Sequence, residues 1–262
     1  MDLHSFCKKV ITLSQEIGDW MVEERIKFSQ ENVETKAFNN LVSYVDKQAE
    51  KRFVEGLLKI IPEAGILGEE GSVTMSKNGF TWVIDPLDGT TNYVHGIPVF
   101  CTSVALKQDN ETIMGVVYEP NRKECFYSWK GGQAYCNEKV LQVSNAQNLA
   151  QSLLATGFPY DDFGKMENYA ELLKDLMKET RGIRRLGAAA LDLCYVASGR
   201  FEAFYEYALQ PWDVEAGAFI VQQAGGKVTD FSNGHNYHSG AEIIASNNII
   251  HSELQSKIRH YF

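Results

Sequence analysis

Apolar side chains at Leu3, Phe6, Val10, Leu13, Ile17, Trp20 or Met21, and Val22 recur at three- and four-residue spacing, which predicts an amphipathic helix over residues 2–28. Residues 29–40 are polar and irregular and read as a mobile loop. A second helix is expected from about residue 41 to 58, with Pro62 closing it. A short apolar run at 64–67 then leads into Gly68-Glu69-Glu70-Gly71, and a β-rich run, Trp82-Val83-Ile84, stops at an acidic turn beginning with Asp85. Beyond it, β-type segments at 99–107, 112–118, 124–129 and 133–136 are separated by turns such as Gln108-Asp109-Asn110 and Lys130-Gly131-Gly132, the pattern of an antiparallel meander. From about residue 150 strands (152–156, 201–205, 227–230, 242–245) alternate with helices (166–180, 188–198, 214–223, 249–259). No repeat, low-complexity tract or linker interrupts the chain. Two packed α/β lobes sharing an interface, residues 1–145 and 146–262, are the simplest account.

Bulk properties narrow the function. A chain of 262 residues with 44% hydrophobic and 11% aromatic content is an ordinary globular protein with a sizeable core. Its formal charge of −9 argues against nucleic acid as the main partner, because polymer phosphates are repelled. For an enzyme of small anions the same charge calls for bound cations, which can override the local field. The five cysteines are scattered, odd in number and without C-x-x-C, as expected of reduced thiols in the cytoplasm. The N-terminus has no apolar signal core and no apolar run is long enough to span a bilayer, so a soluble cytoplasmic protein with no membrane partner is expected.

Chemistry concentrates at three acidic corners. In Trp82-Val83-Ile84-Asp85-Pro86-Leu87-Asp88-Gly89-Thr90-Thr91-Asn92-Tyr93, two carboxylates three positions apart precede a Gly-Thr-Thr helix start. Carboxylates are hard ligands for Mg²⁺ or Ca²⁺, and free amides at a helix start receive phosphate. Asp-Pro and Asp-Gly are also common turn formers. Glu69-Glu70 reads equally as a solvated loop, and Asp213 as the N-cap of the helix that follows it. Taken jointly, all three lie where a strand ends or a helix begins, positions at which separate segments converge. Two unit charges about 4 Å apart repel by about 4 kcal/mol in a partly buried site. Four gathered carboxylates must therefore be protonated, splayed or neutralised. With no His or Cys nearby, the donor set points to Mg²⁺, Mn²⁺ or Ca²⁺ rather than zinc.

Gly68-Glu69-Glu70, Asp85-Pro86-Leu87-Asp88-Gly89-Thr90-Thr91-Asn92 and Trp212-Asp213-Val214-Glu215-Ala216-Gly217, with Gly187-Ala188-Ala189-Ala190 and Ala224-Gly225-Gly226, resemble in this order the signatures of the inositol monophosphatase family. The resemblance runs nearly end to end. It implies a layered αβαβα sandwich of the sugar-phosphatase kind and a Mg²⁺-dependent phosphomonoesterase using two or three ions, with Mn²⁺ as a substitute. By that resemblance Glu69, Asp85 and the Leu87 carbonyl would hold one ion, Asp85, Asp88 and Asp213 a second, and Glu69 part of a weaker third. Thr90, hydrogen-bonded to Asp46, would activate the attacking water, with Glu69 also in the catalytic set. Asp88, Asp213 and the Gly89 and Thr90 amides would meet the substrate's phosphate end, while Ala189 and Glu206 would meet its polyol. A homodimer and lithium sensitivity are implied too. Substrates across the family include inositol phosphates, sugar bisphosphates, histidinol phosphate, phosphoadenosine phosphates and NADP. The compact length favours inositol monophosphate, with NADP(H) 2′-phosphatase, fructose bisphosphatase, histidinol-phosphatase or a non-catalytic metal-binding interaction protein as alternatives.

The sequence departs from the family at Lys36, offset by one position, at Asn40, which replaces an acid, at Glu215, which replaces a small residue and should point away from the metals, and at Tyr93, which replaces phenylalanine. Cys194 and Arg200 fit the C-x5-R spacing of cysteine phosphatases, but Cys194 lies in an apolar helical run and reads as core. His235 and His238 read as surface residues. Arg181, Arg184 and Arg185 form a basic cluster that by default faces solvent or a dimer partner, with steering of an anionic substrate as the alternative.

Overall fold

The computed structural model describes residues 2–27, 33–37, 40–160, 162–239 and 241–262; for 33–37 and 40–42 it describes the backbone. Helix α1 (Leu3–Lys27) buries Val10, Ile17 and Met21 of the expected stripe, and Cys7 with them. Where a loop was expected, β1 (Val33–Ala37) and β2 (Asn40–Ser43) pair antiparallel, each satisfying the other's backbone groups. The side chains of Lys36 and Asn40 lie outside the described atoms. Helix α2 (Tyr44–Ile60) starts later than the pattern suggested, because Ser43 is held extended and caps it, its Oγ accepting from the Val45 amide.

Strands β3 (Gly65–Gly68), β4 (Val73–Thr74) and β5 (Phe80–Asp88) lead to the short helix α3 (Thr90–His95). The meander follows as β6 (Cys101–Gln108), β7 (Glu111–Glu119), β8 (Glu124–Trp129), β9 (Tyr135–Cys136) and β10 (Lys139–Val140). These build an eight-stranded sheet in the order β10-β9-β8-β7-β6-β5-β3-β4. The second sheet has five strands, β11 (Leu153–Thr156), β12 (Gly182–Arg184), β13 (Ala203–Tyr207), β14 (Lys227–Thr229) and β15 (Glu242–Ser246), in the order β12-β11-β13-β15-β14. The three-residue strand β12, with only one apolar side chain, was not foreseen.

Four further helices complete the layers: α4 (Met166–Glu179), α5 (Ala189–Ala197), α6 (Pro211–Gln223) and α7 (His251–Tyr261). Helices α1 and α2 cover one face of the large sheet, α5 and α6 touch strands of both sheets, and α4 and α7 cover the far face of the small one. This is the expected αβαβα sandwich. Every residue of α5 is buried, as expected of a helix that is apolar but for Asp192. One core therefore runs from Val83, Ala105 and Phe126 through α5 and α6 to Phe204 and Ala245. Among the described residues no helix is long and apolar enough to cross a membrane.

His251 starts α7 fully buried, its Nδ1 2.8 Å from Ser246 Oγ and its Nε2 2.9 Å from Thr229 Oγ1. Burial, with Lys227 adding to it, lowers its pKa to about 4. A buried base with a depressed pKa resists protonation, so its contribution to stability is complete above about pH 6.5 and drains as the pH falls toward 4. Denaturant unfolding across this range should show the advantage of wild type over His251→Gln shrinking with acidity, by up to about 1.4 kcal/mol per pH unit. A constant difference would contradict the assignment.

Candidate active site

The central carboxylates sit on a strand, not in a turn after it. Strand β5 runs on through Asp88, and its pairing with β6 sets Asp85 opposite Ser103 and Asp88 opposite Cys101. Three steps on β5 thus face two on β6, a β-bulge at Pro86-Leu87. In a regular strand residues three apart point to opposite faces. Ser103 and Cys101, two apart, share a face, so the extra residue brings Asp85 and Asp88 to the same side. Proline suits the bulge because it has no amide to contribute to the ladder.

Helix starts hold most of the acids in place. Asp46, in the first turn of α2, accepts from the Ser43 amide (2.8 Å) and Ser43 Oγ (2.5 Å) through Oδ2, and from Thr90 Oγ1 (2.8 Å) through Oδ1. Thr90 Oγ1 also lies 3.0 Å from the Leu87 carbonyl, so its single proton has two acceptors. Asp213 is in the first turn of α6 rather than at its cap, since that helix begins at Pro211, and its Oδ2 accepts from the Gln210 amide at 2.7 Å. Helix α5 has no side-chain cap of its own. Asp88 supplies one from another segment, accepting from the Ala189 amide at 3.2 Å and the Ala190 amide at 2.7 Å. Asp85 Oδ1 accepts from the Leu87 amide at 2.9 Å. Gly89, between the acids and α3, has φ 94°, and a Cβ there would sit 3.0 Å from the Val99 carbonyl and 3.2 Å from that of Gly187.

Asp85, Leu87, Asp88, Gly89, Thr90 and Asp213 line one cleft of about 670 Å³, together with Glu69. Burial, then Glu69, Asp88 and Asp213, hold the Asp85 carboxyl well above the usual range. Burial, then Glu69 and Asp88, do the same to Asp213. Burial raises Asp88 to about 6, the α5 amides holding it back from going higher. Among the described residues, no three His, Cys, Asp or Glu side chains are already gathered tightly enough to grip an ion. The acids share a cleft rather than a single point, as mutually repelling groups do.

All the site residues read from the sequence except Asp46 line this cleft, and Asp46 joins it through Thr90. The Ala189 amide is engaged by Asp88, which leaves its small side chain toward the cleft. Glu206 enters because residue 157 is glycine: a Cβ there would stand 2.1 Å from Glu206 Oε1. Of the arginines only Arg185 lines the cleft, bonded to Tyr160 Oη at 3.1 Å, while Arg181 and Arg184 are exposed elsewhere. Asp192 is a lining residue that sequence reasoning missed. It is buried, Oδ1 has no hydrogen-bond partner, and burial followed by Asp88 raises its pKa well above normal. Glu215 does point away, binding Lys107 Nζ and Thr112 Oγ1 at 2.5 Å and His238 Nδ1 at 3.1 Å. His238 is thus partnered rather than a plain surface residue, whereas His235 is exposed. Tyr93 uses its extra hydroxyl to bond the Met21 carbonyl at 2.9 Å. Cys194 is fully buried with a raised pKa and Arg200 pairs with Glu124, so the cysteine-phosphatase spacing is coincidental.

A model of the Inositol monophosphatase family matches residues 2–262. A protein named putative Nus factor SuhB from Neisseria meningitidis is 39% identical, the match covering 94% of each chain. An inositol-1-monophosphatase from Mesorhizobium japonicum is 37% identical over 87% of this chain and 86% of its own. The solved structure of a Thermotoga maritima IMPase superposes with a TM-score of 0.89 at 35% identity, covering 100% of this chain and 98% of that one.

The raised carboxyl pKa values predict the stability of the protein in divalent-free buffer. An acid whose native pKa is raised contributes fully below its unfolded value, about 3.9, and loses that contribution as pH climbs through the native one, about 6 for Asp88. Wild type should therefore lose thermal stability relative to Asp85→Asn between pH 4 and 7. Parallel melting curves across that range would refute the raised pKa of Asp85.

Proposed function

The chain belongs to the inositol monophosphatase family, and from that premise we propose that it hydrolyses a small phosphate monoester with Mg²⁺, most fittingly an inositol monophosphate to inositol and phosphate. One observation carries the reading: Thr90 Oγ1 bonds Asp46 across 44 residues, beside the acids. A protein that merely stored cations would have no use for such a pair. The donor set suits the ion, being all oxygen and drawn from Glu69, Asp85, Asp88, Asp213 and the Leu87 carbonyl, with the apportionment among two or three ions that the family resemblance implies and Mn²⁺ as a substitute. When bound, those ions would lower the pKa of a water and offset charge on the leaving oxygen.

The remaining steps belong to the chain. The Thr90 proton goes to Asp46, whose Oδ1 is the nearer of its two acceptors at 2.8 Å, and a Thr90 lone pair accepts a hydrogen bond from the attacking water and orients it. Asp46 is fixed for this by its two bonds from Ser43. The Gly89 and Thr90 amides face the phosphate at the start of α3, where the first amides lack intrahelical acceptors. Glu206 receives a hydroxyl of the leaving group, and Ala189 leaves room for its ring. Arg185 at the rim supplies a positive charge that attracts the dianion. A homodimer and lithium inhibition are carried with this proposal.

Relatives named Nus factor favour a second reading, in which the chain serves in a protein assembly. Phosphate release separates the two. Purified protein with excess Mg²⁺ should release phosphate from inositol monophosphate, and kcat/KM across a panel including NADP, fructose 1,6-bisphosphate and histidinol phosphate should rank it first. Thr90→Ala should lower kcat about 10²- to 10⁴-fold while leaving Mg²⁺ uptake in calorimetry unchanged. No release from any ester would make the assembly role the better reading.

A further inference from the structure

Helix α2 carries a second buried carboxylate that the reaction outlined above does not use. Glu50 is 2% exposed and lies one helical turn after Asp46, so both project from the same face. Its Oε2 accepts from the Glu70 amide at 2.8 Å and its Oε1 from the Ser72 amide at 2.9 Å. The loop it enters is the tight connection between β3 and β4, closed by the Gly68 amide on the Ser72 carbonyl at 2.9 Å. Glu69 sits inside that loop, its own amide bonded to the Ile84 carbonyl of β5 at 3.2 Å. The fit around Glu50 is close: a Cβ on Gly68 would stand 2.3 Å from Oε2. Residue 68 must be glycine for the carboxylate to reach the loop.

From this we infer that Glu50 is a positioning residue that sets the aim of Glu69 into the cleft. The inference rests on reading the acidic cleft as a cation site. The backbone on both sides of Glu69 is fixed by one side chain: Gly68 is packed against it and Glu70 is bonded to it. Hydrogen bonds from amides to a carboxylate are among the stronger ones, and their loss removes the anchors that hold the Glu70 and Ser72 amides. Aspartate would be too short to reach both amides. Glutamine has one acceptor, and its NH₂ would face an amide that is itself a donor. The helix thereby fixes two separated elements of the site at once. Asp46 fixes Thr90 at the start of α3, and Glu50 fixes Glu69 at the end of β3. Their spacing along the helix sets the spacing of what they hold.

Groups that orient metal ligands without touching the ion typically account for 10- to 100-fold in affinity. Glu50→Gln should therefore weaken Mg²⁺ binding at least about tenfold by titration calorimetry. In metal-free protein, the Glu70 and Ser72 amides should lose protection in hydrogen exchange. The Mg²⁺ concentration for half-maximal phosphate release should rise by a similar factor, more than kcat falls. Should Glu50→Gln fold poorly, Gly68→Ala approaches the same contact from the loop side and should shift Mg²⁺ affinity in the same direction. Lowered melting temperature with unchanged Mg²⁺ affinity in both variants would overturn the inference alone, leaving Glu50 an ordinary loop anchor. Absence of Mg²⁺ uptake by wild type would overturn the cation reading and this inference together.

Discussion

Mutual repulsion among carboxylates in one cleft is the constraint around which the molecule is arranged. Burial raises the pKa of Asp85, Asp88 and Asp213, with Glu69, Asp88 and Asp213 adding to it at Asp85 and Glu69 and Asp88 at Asp213, yet the fold holds these acids near one another. The compensation is local and built from backbone. Asp213 is tied to the start of α6, Asp88 to the start of α5 and Asp85 to its own bulge, each through amide protons. The positive ends of helices and the unpaired amides found there are where negative side chains cost least. The layered fold delivers the first turns of α2, α3, α5 and α6 to the same region. Architecture and electrostatics thus answer a single problem.

Much of this was legible in the chain. The three- and four-residue spacing gave α1, the antiparallel meander followed from its turns, and the helix that became α5 was expected at 188–198. What stayed hidden depended on pairing between distant segments. That Asp85 and Asp88 share a face follows from their register against Ser103 and Cys101, which no reading of β5 alone could reveal. Asp192 was concealed because one acid in an apolar helix looks like noise until its neighbours are known. Glu50 was nearer to hand, four residues after Asp46, but only the loop it enters gives it meaning. The start of α6 could have been set from Pro211, a favoured first residue of a helix. The hairpin of β1 and β2 lacked the Asn-Gly or Asp-Gly turn that would have announced it.

The departures from the family pattern were also partly readable. Two positions on from Asp213 along a helix, Glu215 had to face elsewhere, and it does. Its partners were not predictable: Lys107 and Thr112 come from the meander and His238 from a turn more than 20 residues downstream. Together they pin the N-terminal part of α6, just past its first turn, to the large sheet and to residues 236–239. Asp213 is therefore steadied from behind as well as from its own cap.

The distances spanned along the chain by the bonds at the cleft bear on how the protein reaches its native state. Thr90 meets Asp46 over 44 residues, and Asp88 meets the Ala190 amide over 102. Contacts of such sequence separation pay their loop-closure entropy late, after local helices and hairpins have formed. Bringing Asp46 and Asp88 to their partners thus requires closing long loops, and the helix starts that offset the charge are the groups those closures reach. Earlier, more open ensembles carry the same negative charges well separated in water and bear little of the strain, so the sequence can encode a reactive centre without burdening the route to it.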